Sequence, residues 1–278
     1  MPEAEKYVLY HYKPSLALAV VGVIAFAVGT LVHGLLAYRH KMKFFLAFII
    51  GAVFEAIGYA ARAVNADQSP DYDTTPYALQ SVLILLAPSL FAASIYMILG
   101  RIIRLTDGDS RSLIRASRPT KIFVLGNVAA FLIQSGGGGM LTQAKSPSDQ
   151  ERGENIIIFG LIVQIIFSGF FVLVSIIFHR RIIQSPTTAS LNTLLNWQRY
   201  LWVLYVASML IMVRCVYRVI EYIQGQEGPL MGHEAYSYVF DALLMFLVVV
   251  LFAILHPSQA VPPPGSKADD TELANIRS

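Results

Sequence analysis

The chain keeps ionisable residues inside stretches that are otherwise apolar, and their spacing groups them. Glu55 and Arg62 stand seven residues apart, while Arg214, Arg218 and Glu221 stand at i, i+4 and i+7, so each set shares one face of a helix. Glu234 and Asp241 follow in a further apolar stretch, and Gln80, Asn127, Gln134 and Gln164 add neutral amides. A charged side chain at the centre of a bilayer costs about 2.5 to 3.5 kcal/mol on insertion scales, so those that remain face a partner or a cavity. Carboxylates so placed would bind an amino group. Guanidinium groups would act as counter-ions or take a phosphate or carboxylate. Arg62, Arg214 and Arg218 balance Glu55, Glu221 and Asp241. A structural role competes with this one, a buried ion-pair network that fixes helix packing without binding anything.

Other chemistries lack their residues. The run Gly136 to Gly139 has no following Gly-Lys-Ser/Thr and no preceding strand, so it is expected to end the fourth helix, or to allow close backbone approach or a re-entrant turn, and not to cradle phosphate. The histidines at positions 11, 33, 40, 179, 233 and 256 show no H-x-x-x-H spacing, and no metal site is expected. No nucleophile with a base at similar depth stands out, so the protein is expected not to be an enzyme and to need no cofactor. With one cysteine, Cys215, no internal disulfide forms. Nucleic acid is not an expected partner; membrane lipids are.

The elements that must position these residues are membrane helices. Of 278 residues, 55% are hydrophobic and 14% charged, against about 25% charged in a soluble domain. Seven stretches reach the roughly 20 apolar residues that cross a hydrocarbon core. They run from Pro14 to Tyr38, Phe44 to Val64, Pro76 to Leu105, Pro119 to Leu141, Asn155 to Ile183, Tyr200 to Tyr222 and Ala235 to Leu255. The expected fold is therefore all-α, a polytopic seven-helix transmembrane bundle over residues 14–257, between a short N-terminus (1–13) and a disordered tail (258–278) with a Pro-rich start and acidic Asp269, Asp270 and Glu272. The first span is too long for a signal h-region and reads as a retained helix. Pro88 should kink the third. Tyr7, Tyr10, Tyr12, Tyr222, Tyr236 and Trp197 fall near span ends as an aromatic belt.

Basic residues are gathered on one side. Arg39, Lys41, Lys43, Arg101, Arg104, Arg111, Arg115, Arg118, Arg180, Arg181 and Arg199 belong to the odd-numbered loops, with Lys267 and Arg277 in the tail, whereas Lys6, Lys13, Lys145 and Arg152 lie opposite. The positive-inside rule then puts the N-terminus outside and the C-terminus in the cytosol. Counting along the helices places Glu55 roughly 15 Å and Asp241 about 9 Å from the outer ends of their spans, and Arg62 about 4 Å from its own. None of the amides falls in the deep cytosolic half. A polar, charge-compensated cavity or cluster in the outer half of the bundle is the resulting expectation.

In this order and spacing the chain resembles the fungal lipid-translocating exporter family, the RTA-like proteins linked to aminocholesterol and sphingoid long-chain-base resistance. The resemblance runs from about Tyr12 to Pro257. It rests on Glu55-x-x-Gly58-Tyr59-x-x-Arg62; Gln80 with Ala87-Pro88, Ala92-Ala93, Tyr96 and Gly100-Arg101; Gln134-x-x-Gly137-Gly138; Gly160-x-x-x-Gln164; Arg214-x-x-x-Arg218-x-x-Glu221; and Glu234 with Tyr238, Asp241 and His256-Pro257. Asn127 stands where many relatives carry Asp, so a proton relay on the fourth helix does not carry over. The resemblance implies a plasma-membrane exporter or flippase of amphipathic lipids, sphingoid bases in particular, with drug resistance as a consequence, and adds Tyr59, Tyr96 and Tyr238 to the candidate site. Other relatives are associated with porphyrin or haem.

Three functions are thus open: a translocator whose cavity accepts a polar head while the tail stays in lipid; a seven-helix receptor-like protein that binds a lipid, porphyrin or haem without moving it; and, least supported, an intramembrane hydrolase. The chain has no Walker motif, so ATP would have to act through a partner, leaving downhill movement or a proton gradient as the energy source. No inverted repeat is visible.

Overall fold

A computed structural model describes residue 10 and residues 12–113, 117–143, 146–192, 196–225, 228, 230 and 232–259, with the side chains of 117–121, 142–143 and 147 left out. The tail beyond Gln259, and with it Lys267, Arg277 and the three acids, lies outside the described residues, as do Lys6, Tyr7, His11, Arg115 and Lys145. The fold is all-helical, 85% helix with no strand among the described residues, and seven helices are long and apolar enough to span a membrane. The long helices are α1 (Leu16–Arg39), α2 (Leu46–Asp67), α3 (Thr74–Leu105), α4 (Ser117–Gln143), α5 (Pro147–Gln184) and, after the short α6 (Thr188–Asn192), α7 (Trp197–Gln224). The seventh span joins α8 (Glu234–Ser237), a π-helical turn (Tyr238–Leu243) and α9 (Leu244–Ile254).

Local chemistry sets the ends. Ser15 caps α1, Asp73 caps α3 by accepting from the Thr75 N–H at 3.0 Å, and Ser146 caps α5 with Pro147 in its first turn. Arg39, Arg104 and Arg181 occupy the last turns of α1, α3 and α5, where they complement the negative ends of the helix dipoles. All three lie at the end of the bundle away from the N-terminus. The fifth helix starts eight residues before the expected Asn155. Its first turns carry Asp149, Glu151, Arg152 and Glu154, so an apolar window could not see them, yet the Ser146 cap begins the helix there.

Helix α3 forms the centre, with 78% of its apolar window buried against 22% for α1, whose Val21, Ile24, Leu31 and Leu35 face outward. Far from ending at the glycines, α4 runs through Gly136–Gly139 to Gln143. Each glycine in a helix interior costs about 1 kcal/mol relative to Ala, but a Cβ on Gly137 would stand 2.8 Å from the Gly153 carbonyl oxygen. Close approach of α4 and α5, which small residues permit in membranes, offsets that cost. At the end away from the N-terminus the rings of Phe45 and Phe48 stack at 4.5 Å, and Phe91 and Phe252 close on them at 4.6 and 5.3 Å from Phe48.

Candidate functional site

The site is assembled at the N-terminal end of the bundle from α2, α3, α7 and the π-helical turn. A π turn inserts one residue into the helical ladder and is frequent at functional sites; here it carries Asp241, 1% exposed. Arg214 of α7, fully buried, donates from Nε to Asp241 Oδ1 at 2.5 Å. Pro88 explains what holds the rest of that guanidinium. Without an N–H, Pro88 leaves the carbonyl four residues back without its helical donor, and Arg214 Nη2 donates to that carbonyl, Ile84 O, at 2.8 Å. Helix α3 continues through the proline to Leu105, so the proline supplies an acceptor to the ion cluster.

One turn along α7, Arg218 donates to Asp241 Oδ2 and, at 2.8 Å, to Glu221 Oε2. The Tyr217 hydroxyl donates to Glu221 Oε1 at 3.0 Å. Asp241 is thus shared by two guanidinium groups, which charge-assisted hydrogen bonds hold strongly. Arg62 forms a second pair, but with Glu234 at 2.9 Å. This corrects the expected balance of charges: Glu234 partners Arg62, and Glu55 has no ion-pair or hydrogen-bond partner among the described residues. The reason is register, since Glu234 begins the seventh span level with Arg62, whereas Glu55 lies two turns deeper. Both oxygens of Glu55 are buried with no hydrogen-bond partner.

The N-terminal segment closes this end. Arg62 Nη2 donates to the Tyr12 hydroxyl at 2.8 Å, and the Ser15 N–H donates to both Glu234 oxygens at 3.0 Å. The Arg62 guanidinium also lies 5.2 Å from the Tyr238 ring. Tyr10 packs edge-on to Tyr12, Tyr72 and Tyr77, and burial pushes its phenol above the ordinary value, with Asn65 and Arg62 pulling it back.

Between these groups lies a cavity of about 70 Å³ lined by Tyr59, Arg62, Gln80, Arg218, Glu221, Tyr238 and Asp241, among others. That is room for a headgroup or a few waters, against the roughly 300 to 1,000 Å³ of pockets that enclose a drug-sized ligand. Arg214 and Glu55 sit behind the wall, and Glu234 borders it through Arg62. Tyr10, Tyr12, Tyr77 and His233 line it too. The sequence reading assigned Tyr10 and Tyr12 to an aromatic belt; their pairing with Asn65 and Arg62 across some fifty positions leaves no local signal.

The remaining candidates are placed elsewhere. Gln164 Oε1 accepts from Gln134 Nε2 at 2.9 Å and from Ser89 Oγ at 3.2 Å, and Asn127 donates to the Ser89 carbonyl, a neutral network joining α3, α4 and α5. Tyr96 bonds Ser168 at 2.9 Å and packs on Phe123 and Phe171. At the opposite end His33 and His256 stack at 5.9 Å, with His40 6.3 Å from His256. Burial, with His33 and His40 beside it, pushes His256 down to about 4. Sequence separation hid this grouping. Among the described residues no set of three His, Cys, Asp or Glu could hold a metal.

With the geometry in hand, comparison with known proteins is informative. A family model described as RTA1 like protein matches residues 48–263. Protoporphyrin uptake protein 1 of Saccharomyces cerevisiae is 36% identical, over 89% of this chain and 91% of its own. Lipid-translocating exporter-like protein RTA1 of Leptosphaeria maculans is 27% identical over 91% and 52%, and Sphingoid long-chain base transporter RSB1 of Saccharomyces cerevisiae 23% over 89% and 72%. No solved structure matches the chain.

Proposed function

The chain belongs to the RTA1-like family, and from that premise we propose that it is a multi-pass translocator of amphipathic lipids, with sphingoid long-chain bases as its substrate class. The carrying observation is the small, ion-lined cavity among membrane spans at one end of the bundle. It suits a charged headgroup, while an acyl or sphingoid tail stays in the surrounding lipid. The names of two relatives, a lipid-translocating exporter-like protein and a long-chain base transporter, support the same reading. Nothing in this account requires a covalent bond to form or break, so we infer carriage without catalysis. The basic odd-numbered loops support a cytosolic C-terminus and an outward-facing cavity, in keeping with residence in the plasma membrane and resistance to toxic amphiphiles.

A second reading, binding without translocation, draws on the opposite end of the bundle. There Phe45, Phe48, Phe91 and Phe252 fill the interior, and no charged side chain is buried among the described residues. The name Protoporphyrin uptake protein 1 would extend such binding to a porphyrin, although the cavity as it stands is too small to enclose a macrocycle.

Reconstitution in liposomes with a fluorescent sphingoid base separates the two. Wild type is expected to move the base across the bilayer, and Asp241→Asn, checked for folding, to move at least tenfold less. Wild-type protein that binds the base and leaves its transbilayer distribution unchanged would establish the second reading instead.

A further inference from the structure

Glu55 is the one group of the cluster that the ion pairs do not use. It is fully buried on α2, one turn below Tyr59, and neither of its oxygens has a hydrogen-bond partner among the described residues. The other acids are occupied: Asp241 by Arg214 and Arg218, Glu221 by Arg218 and Tyr217, and Glu234 by Arg62 and the Ser15 N–H. Counted by charge, three guanidinium groups face three engaged carboxylates, and the cluster is neutral only if the fourth carboxyl, Glu55, carries a proton. An unpaired carboxylate in a low-dielectric interior costs far more than an unpaired carboxylic acid, and such a group neutralises.

A cationic headgroup entering the cavity changes that count. Asp241 lines the cavity and is shared between two guanidinium groups, so it can release one of them and accept an ammonium. The charged groups acting on Glu55 are Asp241 of the π turn and Arg214 and Arg218 of α7, with the Tyr59 phenol one turn away on its own helix. From α3, Ile84 packs against Gly58 of α2 and Gln80 lines the cavity, and neither brings a charge. A guanidinium freed from Asp241 therefore has Glu55 as its available acceptor, provided that Glu55 loses its proton. The added positive charge of the ammonium and the new negative charge of Glu55 then cancel.

We propose that Glu55 is a proton carrier, exchanging one proton for one organic ammonium headgroup bound at Asp241. The proton passes from the Glu55 carboxyl, behind the cavity wall, to water in the cavity once a guanidinium has left Asp241, no other covalent bond changes, and the buried cluster is electrically neutral both before and after. The exchange rests on the translocator reading given above. It adds a driving force to it: a proton gradient moves a cationic amphiphile the opposite way, with no nucleotide involved.

The test uses full-length protein in nanodiscs and N,N,N-trimethylsphingosine, whose fixed charge carries no proton of its own. Binding is measured by calorimetry at several pH values and in two buffers of different ionisation enthalpy. Wild type is expected to release about one proton per cation bound, and its affinity to rise about tenfold per pH unit. Glu55→Gln, which keeps the shape of the protonated acid, is expected to bind more weakly, with no proton release and no pH slope. Wild-type binding without proton release overturns the exchange and leaves the translocator reading intact. Failure of wild type to bind any cationic amphiphile overturns both. If Glu55→Gln does not fold, the wild-type proton count decides alone.

Discussion

The two ends of the bundle bury polar groups in opposite ways. At the N-terminal end, Arg62, Arg214 and Arg218 meet carboxylates supplied by other turns and other helices, the pairs leave a cavity between them, and five tyrosines line it. At the other end stacked phenylalanine rings fill the space, and the buried titratable groups, His33 and His256, lie among them with one ring nitrogen each unpartnered. Full charges are tolerated only where several elements converge to compensate them. Where rings pack to density, a polar side chain survives by remaining neutral. One end thus pairs its charges around a cavity, and the other is filled by packed rings.

The largest expected effect breaks the charged end. Arg214→Ala strands Asp241 with a single partner and leaves Ile84 O without its donor, and removing one member of a buried pair costs about 3 to 5 kcal/mol. Thermal unfolding in detergent should show that loss. The double variant Arg214→Met, Asp241→Leu leaves no unmatched charge at that pair and should recover most of it. A single variant within about 1 kcal/mol of wild type would mean that the cluster is not desolvated.

The packed end should fail with acid. The His256 ring takes up a proton only near pH 4 in the folded protein, against about 6.5 when unfolded. Between those values the unfolded chain binds more protons, so stability falls as pH falls from 6.5 to 4. His256→Gln should flatten this part of the stability curve relative to wild type, whereas carboxylate titrations common to both proteins cancel in the difference. Curves of equal slope would show that His256 is protonated in the fold and that the packed end accepts charge.

Much of this contrast was legible in the sequence, because its strongest signals are local. Seven apolar stretches and the seven-residue spacing of Glu55 and Arg62 follow from periodicity alone. What was not legible depends on which residues meet across helices. Glu55 and Glu234 are equally good partners for Arg62 by type, and only depth chooses Glu234. Pro88 reads as a kink, and that the carbonyl it frees serves Arg214 is visible only across helices. The glycines of α4 read equally as a terminus or as a place of close backbone approach, and only the backbone of α5 beside Gly137 decides for the second.

Between the ends lies the amide network of α3, α4 and α5, and the smallest predicted effect decides which end it belongs with. Gln164→Leu removes the acceptor shared by Gln134 and Ser89. Interhelical hydrogen bonds in membranes contribute about 0.6 kcal/mol on average and up to about 1.7, so stability should fall by about 1 kcal/mol. Gln134→Leu should cost less, since Ser89 still serves the Gln164 oxygen. If the network is packing, both variants move lipid at close to the wild-type rate despite that loss. Should Gln164→Leu stop movement as completely as Asp241→Asn while losing no more than about 1 kcal/mol of stability, the amides would instead extend the path of the headgroup from the cavity toward the packed end. The contrast would then be between a site with a polar exit and a closed floor, and not between a site and a scaffold.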